Sequence, residues 1–289
     1  MADASRIEDL RPGDHACLTF TDVEERLDLV AAFVRDGIRG GQKVVCVTDS
    51  LPQAALRSQL SERGLPINDV TGSGQMSVLA SGETYLAGGS FGSARMIRLL
   101  AGQIAQAKRD GFAGLWITSD MCWALRPVTG VEELMDYESQ VTRLLADGGA
   151  TAVCQYDRQC FDTVTLAGAA ANHALALAAA TYHDDALLRI CRQYQPPGVR
   201  VSGEVDYRRI EPLARALSEA LGLDDHVHVN LAGLSFTDGS AAGALVQAAA
   251  SLRDGQRMSI RCQPQAAKVL RTLGIDTLTG VAMVVVDDD

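Results

Sequence analysis

Apolar and polar residues recur along the first half of the chain in the order helix, glycine, strand. Apolar residues stand at helical spacing over 27–39, Gly40 and Gly41 end that helix, and the apolar run 43–48 predicts a buried strand. Short apolar strands that alternate with helices are typical of a mainly parallel sheet covered on both faces. We therefore expect an α/β domain over residues 1–180. Its further predicted strands are 13–20, 115–118 and 151–156, and its further predicted helices are 53–63, 94–109, 131–146 and the closing, alanine-rich 166–180.

The second half of the chain predicts a smaller α/β domain. The polar residues 182–185 favour a boundary, so this domain is expected over 185–289. Two strands flank the turn at 195–198, and helices then alternate with strands. The predicted strands are 187–192, 199–202, 227–231, 258–261 and 281–286, and the predicted helices are 210–221, 240–253 and 265–273.

Composition and charge exclude several classes of protein. The 289 residues are 47% hydrophobic and 21% charged, which indicates packed, globular domains. A net charge of −10 argues against nucleic-acid and anionic-membrane partners. Because the chain has neither a run of about 18 apolar residues nor a signal-peptide core, we expect a cytoplasmic protein. The seven cysteines are scattered without a CxxC pair, which makes a disulfide framework or a zinc knuckle improbable.

The most informative window is 227–245, VHVNLAGLSFTDGSAAGAL. Its pattern predicts a buried strand, a short turn and a helix whose first turn contains Ser240. The free N–H groups and the dipole of a helix start favour a capping hydroxyl, and they also stabilise a phosphate. Ser240 is therefore either a helix cap in a scaffold domain or a phosphorylation switch, and the sequence leaves both interpretations open.

Together with VRVSGEVD at 199–206, this window resembles the STAS family of sulphate-transporter and anti-sigma-factor antagonist domains. The resemblance implies a partner-binding turn of Asp238, Gly239 and Ser240. It also implies that Ser240 occupies the position that a partner anti-sigma kinase phosphorylates in the antagonist branch. The implied partner is an anti-sigma factor or serine kinase, or another signalling protein. Departures from the family pattern, which bear on kinase recognition, are Asn230 for Asp, Gly239 for the first serine, and Ala241-Ala242 for Gly-Leu.

The first domain lacks the chemistry of a nucleotide-hydrolysing enzyme. The strand 13–20 leads into the acidic turn 21–25, where a phosphate loop would need GxxxxGK[ST] to cradle phosphates. Acidic side chains at that turn would repel a nucleotide. No pair of catalytic side chains stands out elsewhere, so we expect no enzyme activity and no cofactor.

Five short motifs in this domain resemble the MEDS family, the methanogen/methylotroph sensory domains, over about residues 8–177. The resemblance implies a RecA/KaiC-type α/β core without a phosphate loop that senses small molecules such as hydrocarbon derivatives. Ser119-Asp120 stands where the family more often has Gly-Glu. The motifs are GDHAC at 13–17, ETYL at 83–86, DMCWAL at 120–125, YE at 137–138 and CQYDR at 154–158.

A ligand cleft is expected at the carboxyl ends of the parallel strands, where open α/β sheets bind. Its predicted lining is His15, Asp120, Trp123, Tyr156 and Arg158. Each has a structural alternative, since Trp123 suits core packing, His15 suits a buried hydrogen bond and Arg158 suits a surface turn.

A metal or thiol site is conceivable around His15, Cys17 and Cys154, together with Asp120, Cys122 or His173. Cysteine is more often a small buried hydrophobe, and this spacing is not diagnostic, so we expect no metal. Glu138 is expected on a solvated helix face rather than as an acid catalyst.

These observations favour a regulatory protein. The first domain would sense a small molecule or partner, and the second would bind or release an anti-sigma factor or another signalling protein, with Ser240 as a second input. The alternative is a scaffold or stressosome-like component in which the second domain forms a homo-oligomer independently of phosphorylation. A direct transcription factor is not expected, because the chain shows no helix-turn-helix motif and no basic face.

Overall fold

The apolar strands of the first half assemble into one parallel sheet in the computed structural model, which describes residues 5–286. The strands are β1 (His15–Phe20), β2 (Lys43–Thr48), β3 (Met76–Ala80), β4 (Leu115–Asp120), β5 (Ala150–Asp157) and β6 (Leu175–Leu177). The order across this sheet is β3-β2-β4-β5-β1-β6, and every neighbouring pair is parallel. The central strands are buried along almost their full length, as expected when helices cover both faces.

Helices join these strands, which confirms the predicted α/β architecture of the first unit. Asp22 sets the first helix start, because its carboxylate accepts hydrogen bonds from the N–H groups of Glu24 and Glu25 at 2.7 and 3.1 Å. The turn after β1 is thus an aspartate-capped helix start. The helices are α1 (Val23–Arg39), α2 (Gln53–Glu62), α3 (Ile67–Gly72), α4 (Ser93–Arg109), α5 (Leu134–Leu145) and α6 (Thr163–Asn172).

The closing helix predicted over 166–180 is wrong in its second half. The helix α6 begins earlier, at Thr163 behind the Asp162 cap, and it ends at Asn172. The chain then forms the short edge strand β6, which pairs in parallel with β1 from Ala16 to Leu18. Alanine favours helix locally, but pairing to the sheet edge overrides that preference.

The second unit is a mixed sheet covered by three helices. Its elements are β7 (Thr181–Asp184), β8 (Leu188–Tyr194), β9 (Pro197–Val205), α7 (Ile210–Leu223), β10 (His226–Leu231), β11 (Leu234–Thr237), α8 (Gly239–Ala250), β12 (Arg257–Cys262), α9 (Pro264–Thr272) and β13 (Val281–Val285). The order across the sheet is β13-β12-β10-β9-β8-β7, with β11 also paired to β9. The pairs β7·β8 and β8·β9 are antiparallel, and the others are parallel.

The chain divides between Ala178 and Ala179. The sequence pattern predicts that the second domain begins at residue 185, after the polar stretch 182–185. That stretch contains β7, which pairs antiparallel with β8 and so belongs to the second unit. Residues 1–4 and 287–289 of the two predicted domains lie outside the described residues. Over residues 5–286, no helix is both long enough and apolar enough to cross a membrane.

Candidate functional site

The five residues predicted to line a ligand cleft lie in four different surroundings. His15 and Tyr156 share a buried polar group of side chains on β1, β5, α5 and the end of α6. Asp120 forms a separate buried ion pair, and Trp123 packs among aromatic rings. Arg158 is exposed. The structure therefore brings together His15 and Tyr156 but does not line one cleft with all five side chains.

The group that contains His15 and Tyr156 is centred on a carboxylate, and we call it the Glu138 cluster (His15, Glu138, Cys154, Tyr156 and His173). The Tyr156 hydroxyl donates a short hydrogen bond to Glu138 Oε1. Glu138 Oε2 lies 3.3 Å from His15 Nε2, 3.6 Å from His173 Nε2 and 3.5 Å from Cys154 Sγ. All five residues are buried. Four of them, His15, Glu138, Cys154 and His173, have potential metal-ligand atoms within 4.8 Å of one another.

Sheet register and helix spacing explain why this cluster forms. The parallel pairing of β1 with β5 sets Cys17 opposite Cys154, so His15 stands two positions along the same face of the neighbouring strand. On α5, Glu138 follows Leu134 by four residues and lies on the buried stripe that continues to Val141 and Leu145. The expectation of a solvated Glu138 was wrong. The spacing of Leu134, Glu138, Val141 and Leu145 was the signal that marked its buried face.

The environment of Glu138 favours its ionised form, and burial favours the uncharged forms of Tyr156, Cys154 and His173. Burial acts to raise the pKa of Glu138, but hydrogen bonds from His15 and Tyr156 and the nearby histidine hold it below its ordinary value. Burial, reinforced by the Glu138 charge, raises the pKa of the Tyr156 hydroxyl and of the Cys154 thiol well above their ordinary values. Burial also lowers the pKa of His173, so this imidazole is neutral near pH 7.

Asp120 ends β4 in a second buried polar network. Its Oδ2 lies 2.8 Å from Arg26 Nη2 and accepts hydrogen bonds from the Ser50 N–H and hydroxyl at 2.9 and 2.5 Å. Arg26 Nε donates to Gln155 Oε1 at 2.6 Å. Burial opposes ionisation of Asp120, yet the Arg26 charge and the Ser50 hydrogen bonds lower its pKa to about 2. This network is a satisfied, buried ion pair that joins α1 to the carboxyl ends of β4 and β5.

Trp123 is a core residue of the first unit. Its ring is fully buried, stacks on Tyr85 with centroids 4.9 Å apart and lies 4.7 Å from Phe91. Tyr137 meets the Tyr85 ring edge-on at 5.9 Å. This arrangement agrees with the core-packing alternative for Trp123 rather than with a ligand contact.

A partly open cavity of about 200 Å³ lies beside this aromatic group, between α4 and the strands β2, β3 and β4. Its walls are mostly apolar, and the Tyr85 and Tyr137 rings form one side. The five residues predicted from sequence are not among its lining. Side chains that define it include Val47, Leu79, Met96, Leu100, Ile117 and Gln103.

In the second unit, the turn that carries Ser240 is capped by a different residue. Asp238 Oδ1 accepts the Ala241 N–H at 2.8 Å and Oδ2 accepts the Tyr207 N–H at 2.9 Å. Ser240 is the second residue of α8 and its side chain is exposed. Asp238, not Ser240, is therefore the helix cap. Exposed aromatic side chains flank the turn, with Phe236 52% and Tyr207 60% accessible.

Comparison with known families accounts for both units. The family model described as "MEDS: MEthanogen/methylotroph, DcmR Sensory domain" matches residues 14–174, more than half of the chain. The chain belongs to the MEDS family. A second model, described as "Mlab, STAS domain", matches residues 188–285. The MEDS domain is thus followed by a STAS domain, in the order that the sequence resemblances predicted.

No curated protein matches this MEDS-STAS chain. Among solved structures, it is similar to the KaiC-like protein from the hyperthermophilic archaeon Pyrococcus horikoshii OT3. The TM-score is 0.46 at 14% sequence identity, over 66% of this chain and 79% of that chain. The α/β assignment of the MEDS domain rests on its own strand order and parallel pairing.

Proposed function

We propose that this chain is a signalling regulator without enzyme activity. Its MEDS domain binds a small molecule, and its STAS domain binds an anti-sigma factor or a similar signalling protein through Asp238, Gly239 and Ser240. The observation that carries this proposal is the exposed Ser240 hydroxyl at the Asp238-capped start of α8, close in the chain or by hydrogen bonding to two residues with exposed aromatic side chains. The family matches support the general role of a signalling protein in which a sensory domain is joined to a STAS domain.

The surface around Ser240 has the composition of a protein-binding site. Exposed aromatic rings bring large contact areas at low entropic cost, and they are enriched among residues that dominate binding energy. Phe236, two residues before Asp238, and Tyr207, whose N–H is bound by Asp238, supply such rings. The two hydrogen bonds of Asp238 fix the turn to the segment that carries Tyr207, so the surface is ordered before a partner arrives.

Phosphorylation of Ser240 would act on the partner rather than on the helix. A phosphate adds about −1.5 to −2 charge, and the free N–H groups of a helix start tolerate negative charge. The helix α8 would therefore stay folded. The added charge lies beside the Asp238 carboxylate and on the surface that the partner covers, where repulsion and desolvation oppose docking. We expect the phosphorylated chain to release its partner.

Partner binding is tested with the full chain recovered from its own cells. Ser240→Asp should lose at least about tenfold of the protein that copurifies with wild type, because a buried like charge costs about 1.4 kcal/mol or more. Ser251→Asp is the matched control, since Ser251 is an exposed serine at the opposite end of the same helix. Equal recovery of the partner by wild type and Ser240→Asp would contradict the proposal.

In the proposed regulator, the small molecule binds in the cavity beside Tyr85. A cavity of about 150 Å³ in another protein holds benzene, so about 200 Å³ suits a small, mainly apolar molecule. The ligand must bind one state of the protein better than another to change partner binding.

Benzene is the probe for this cavity. We expect it to raise the thermal unfolding temperature of wild type, and we expect Leu79→Trp to abolish that rise because Leu79 is half-buried in the cavity wall. Leu125→Trp places the same ring on an exposed leucine outside this lining and should keep the response. The same temperature rise in Leu79→Trp as in wild type would exclude the cavity as the input site.

A second candidate function is the homo-oligomeric scaffold, and one observation favours it. The strand β13 is an edge of the second sheet, and Val284 and Val285 on it are exposed. Apolar edge strands readily pair with another chain. Light scattering separates the two candidates: an assembly broken by Val284→Lys, with Ser240→Asp still bound to its partner, would favour the scaffold.

A further inference from the structure

We propose that the Glu138 cluster binds a divalent metal ion of the zinc class, through His15 Nε2, Glu138 Oε2, Cys154 Sγ and His173 Nε2. The spacing of these residues in the sequence predicts no metal site. This inference is independent of the proposed signalling function, because it rests on the geometry of these four side chains.

The separations of the donor atoms match a tetrahedral zinc site. Zinc binds nitrogen, oxygen and sulphur at about 2.0 to 2.3 Å, which gives tetrahedral edges of about 3.3 to 3.8 Å. Four of the six edges measure 3.3, 3.5, 3.5 and 3.6 Å. The remaining two, from His173 to His15 and to Cys154, lie within 4.8 Å. Small shifts of the side chains would bring all four donor atoms to bonding distance of one ion.

His173 presents an unpartnered lone pair to the cluster. Its Nδ1 lies 2.7 Å from the Ala169 carbonyl oxygen, which can only accept, so Nδ1 carries the proton. In the neutral imidazole the other nitrogen, Nε2, then carries the lone pair, and this atom makes no hydrogen bond with a described residue. This buried lone pair points at the Glu138 carboxylate 3.6 Å away. Two electron-pair donors face each other, an arrangement that a cation stabilises.

His15 is oriented in the same way through a threonine. The Thr142 hydroxyl lies 2.8 Å from the Asn172 carbonyl oxygen, which takes its single proton. Thr142 Oγ1 must then accept from His15 Nδ1 at 2.8 Å, which turns Nε2 toward Glu138 and Cys154. Metal-binding histidines almost always have the other ring nitrogen fixed by such a partner, and Tyr156 similarly fixes the carboxylate.

The charge of the set suits a buried divalent ion. Two neutral imidazoles, one carboxylate and one thiolate carry two negative charges, which a divalent cation cancels. Burial of a neutral unit avoids the large cost of an uncompensated charge. Binding releases the Cys154 thiol proton and any proton held between His15 and Glu138, so that metal–sulphur and metal–nitrogen bonds replace S–H and N–H bonds. With four protein ligands and no open position, the site is structural rather than catalytic.

The four ligands come from different elements of the first unit. His173 follows α6, and Ala169 is the buried residue of that helix. The other three ligands lie on β1, α5 and β5. A bound ion would tie the end of α6 to the sheet.

Metal content and cobalt spectroscopy of the full chain test this proposal. The chain, without a histidine tag, is produced in medium supplied with Co²⁺ or Zn²⁺. We expect one ion per chain and, with cobalt, a thiolate-to-metal charge-transfer band. Cys154→Ala should lose the band, and His173→Gln should bind at least about tenfold more weakly. Thr142→Val, which removes the orienting acceptor of His15, should weaken binding about 10- to 100-fold.

Two other cysteines provide matched controls. Cys46→Ala removes a buried thiol on β2, and Cys160→Ala removes the exposed thiol beside Asp157. Both variants should keep the metal and the band. Wild type without stoichiometric metal and without the band would overturn the proposal, whatever the folding of the variants. Loss of the band in Cys160→Ala but not in Cys154→Ala would overturn it equally, since the ion would then lie at the surface.

Discussion

Replacement of Asp120 by asparagine tests the buried ion pair that joins α1 to the end of β4. Asparagine keeps the size of the side chain but removes the charge that faces Arg26 Nη2 at 2.8 Å. A pKa lowered from 3.8 to about 2 corresponds to about 2 kcal/mol of stabilisation of the ionised form. Leaving the Arg26 charge buried and unpaired raises the expected loss to about 3–5 kcal/mol.

Urea unfolding followed by tryptophan fluorescence measures this loss in the MEDS domain alone, because Trp116 and Trp123, the two tryptophans, both lie there. Asp147→Asn makes the same chemical change at an exposed site and should shift the free energy of unfolding by less than about 0.5 kcal/mol. An Asp120→Asn variant within about 1 kcal/mol of wild type at pH 7 would refute the argument.

The pH dependence gives the same experiment a second readout. The folded-state pKa of Asp120 is lower than its ordinary value, so its contribution is complete above about pH 4 and is lost as the pH falls through about 2. Wild type should therefore lose about 2 kcal/mol more than Asp120→Asn on acidification through this window. Parallel stability profiles for the two proteins would contradict the assignment.

The STAS domain allows two further predictions, both measured by far-UV circular dichroism during urea unfolding. Asp238→Ala removes the cap of α8 and should destabilise the domain by about 0.5–2 kcal/mol, whereas Ser240→Ala should change little; equal losses would refute the cap assignment. Gly203→Ala should cost at least about 2 kcal/mol, because φ is +97° and the new Cβ would lie 2.0 Å from the Leu187 carbonyl oxygen. Gly222→Ala, in open space on α7, should be neutral or stabilising, and a comparable loss there would contradict the steric argument.

Local patterns of apolar and polar residues were sufficient to predict the main architecture. The apolar run at β2 is buried along almost its entire length because helices cover both faces of the sheet, and that burial is what a continuous apolar strand indicates. The strand, turn and helix around Ser240 followed from the same kind of pattern. The sequence does not distinguish the cap of α8, since Asp238 and Ser240 are both good capping residues by type.

Elements that depend on pairing between distant parts of the chain could not be predicted from local sequence. The strands β6 and β7 lie where local sequence favoured helix and boundary, and each is held by hydrogen bonds to a neighbouring strand. Helical spacing on α5 could have placed Glu138 inside. Nothing in the spacing of His173 could have placed it beside Glu138, because its position depends on where α6 stops and β6 joins the sheet edge.

The intact mass of the chain isolated from its own cells tests the proposed switch most directly. Wild type should carry a fraction heavier by about 80 daltons, the mass of one phosphoryl group, and Ser240→Ala should lack it. The exposed hydroxyl at the capped start of α8 predicts this result. An unmodified wild-type chain under both growth and stress conditions, or a phosphate that persists in Ser240→Ala, would contradict Ser240 as the switch.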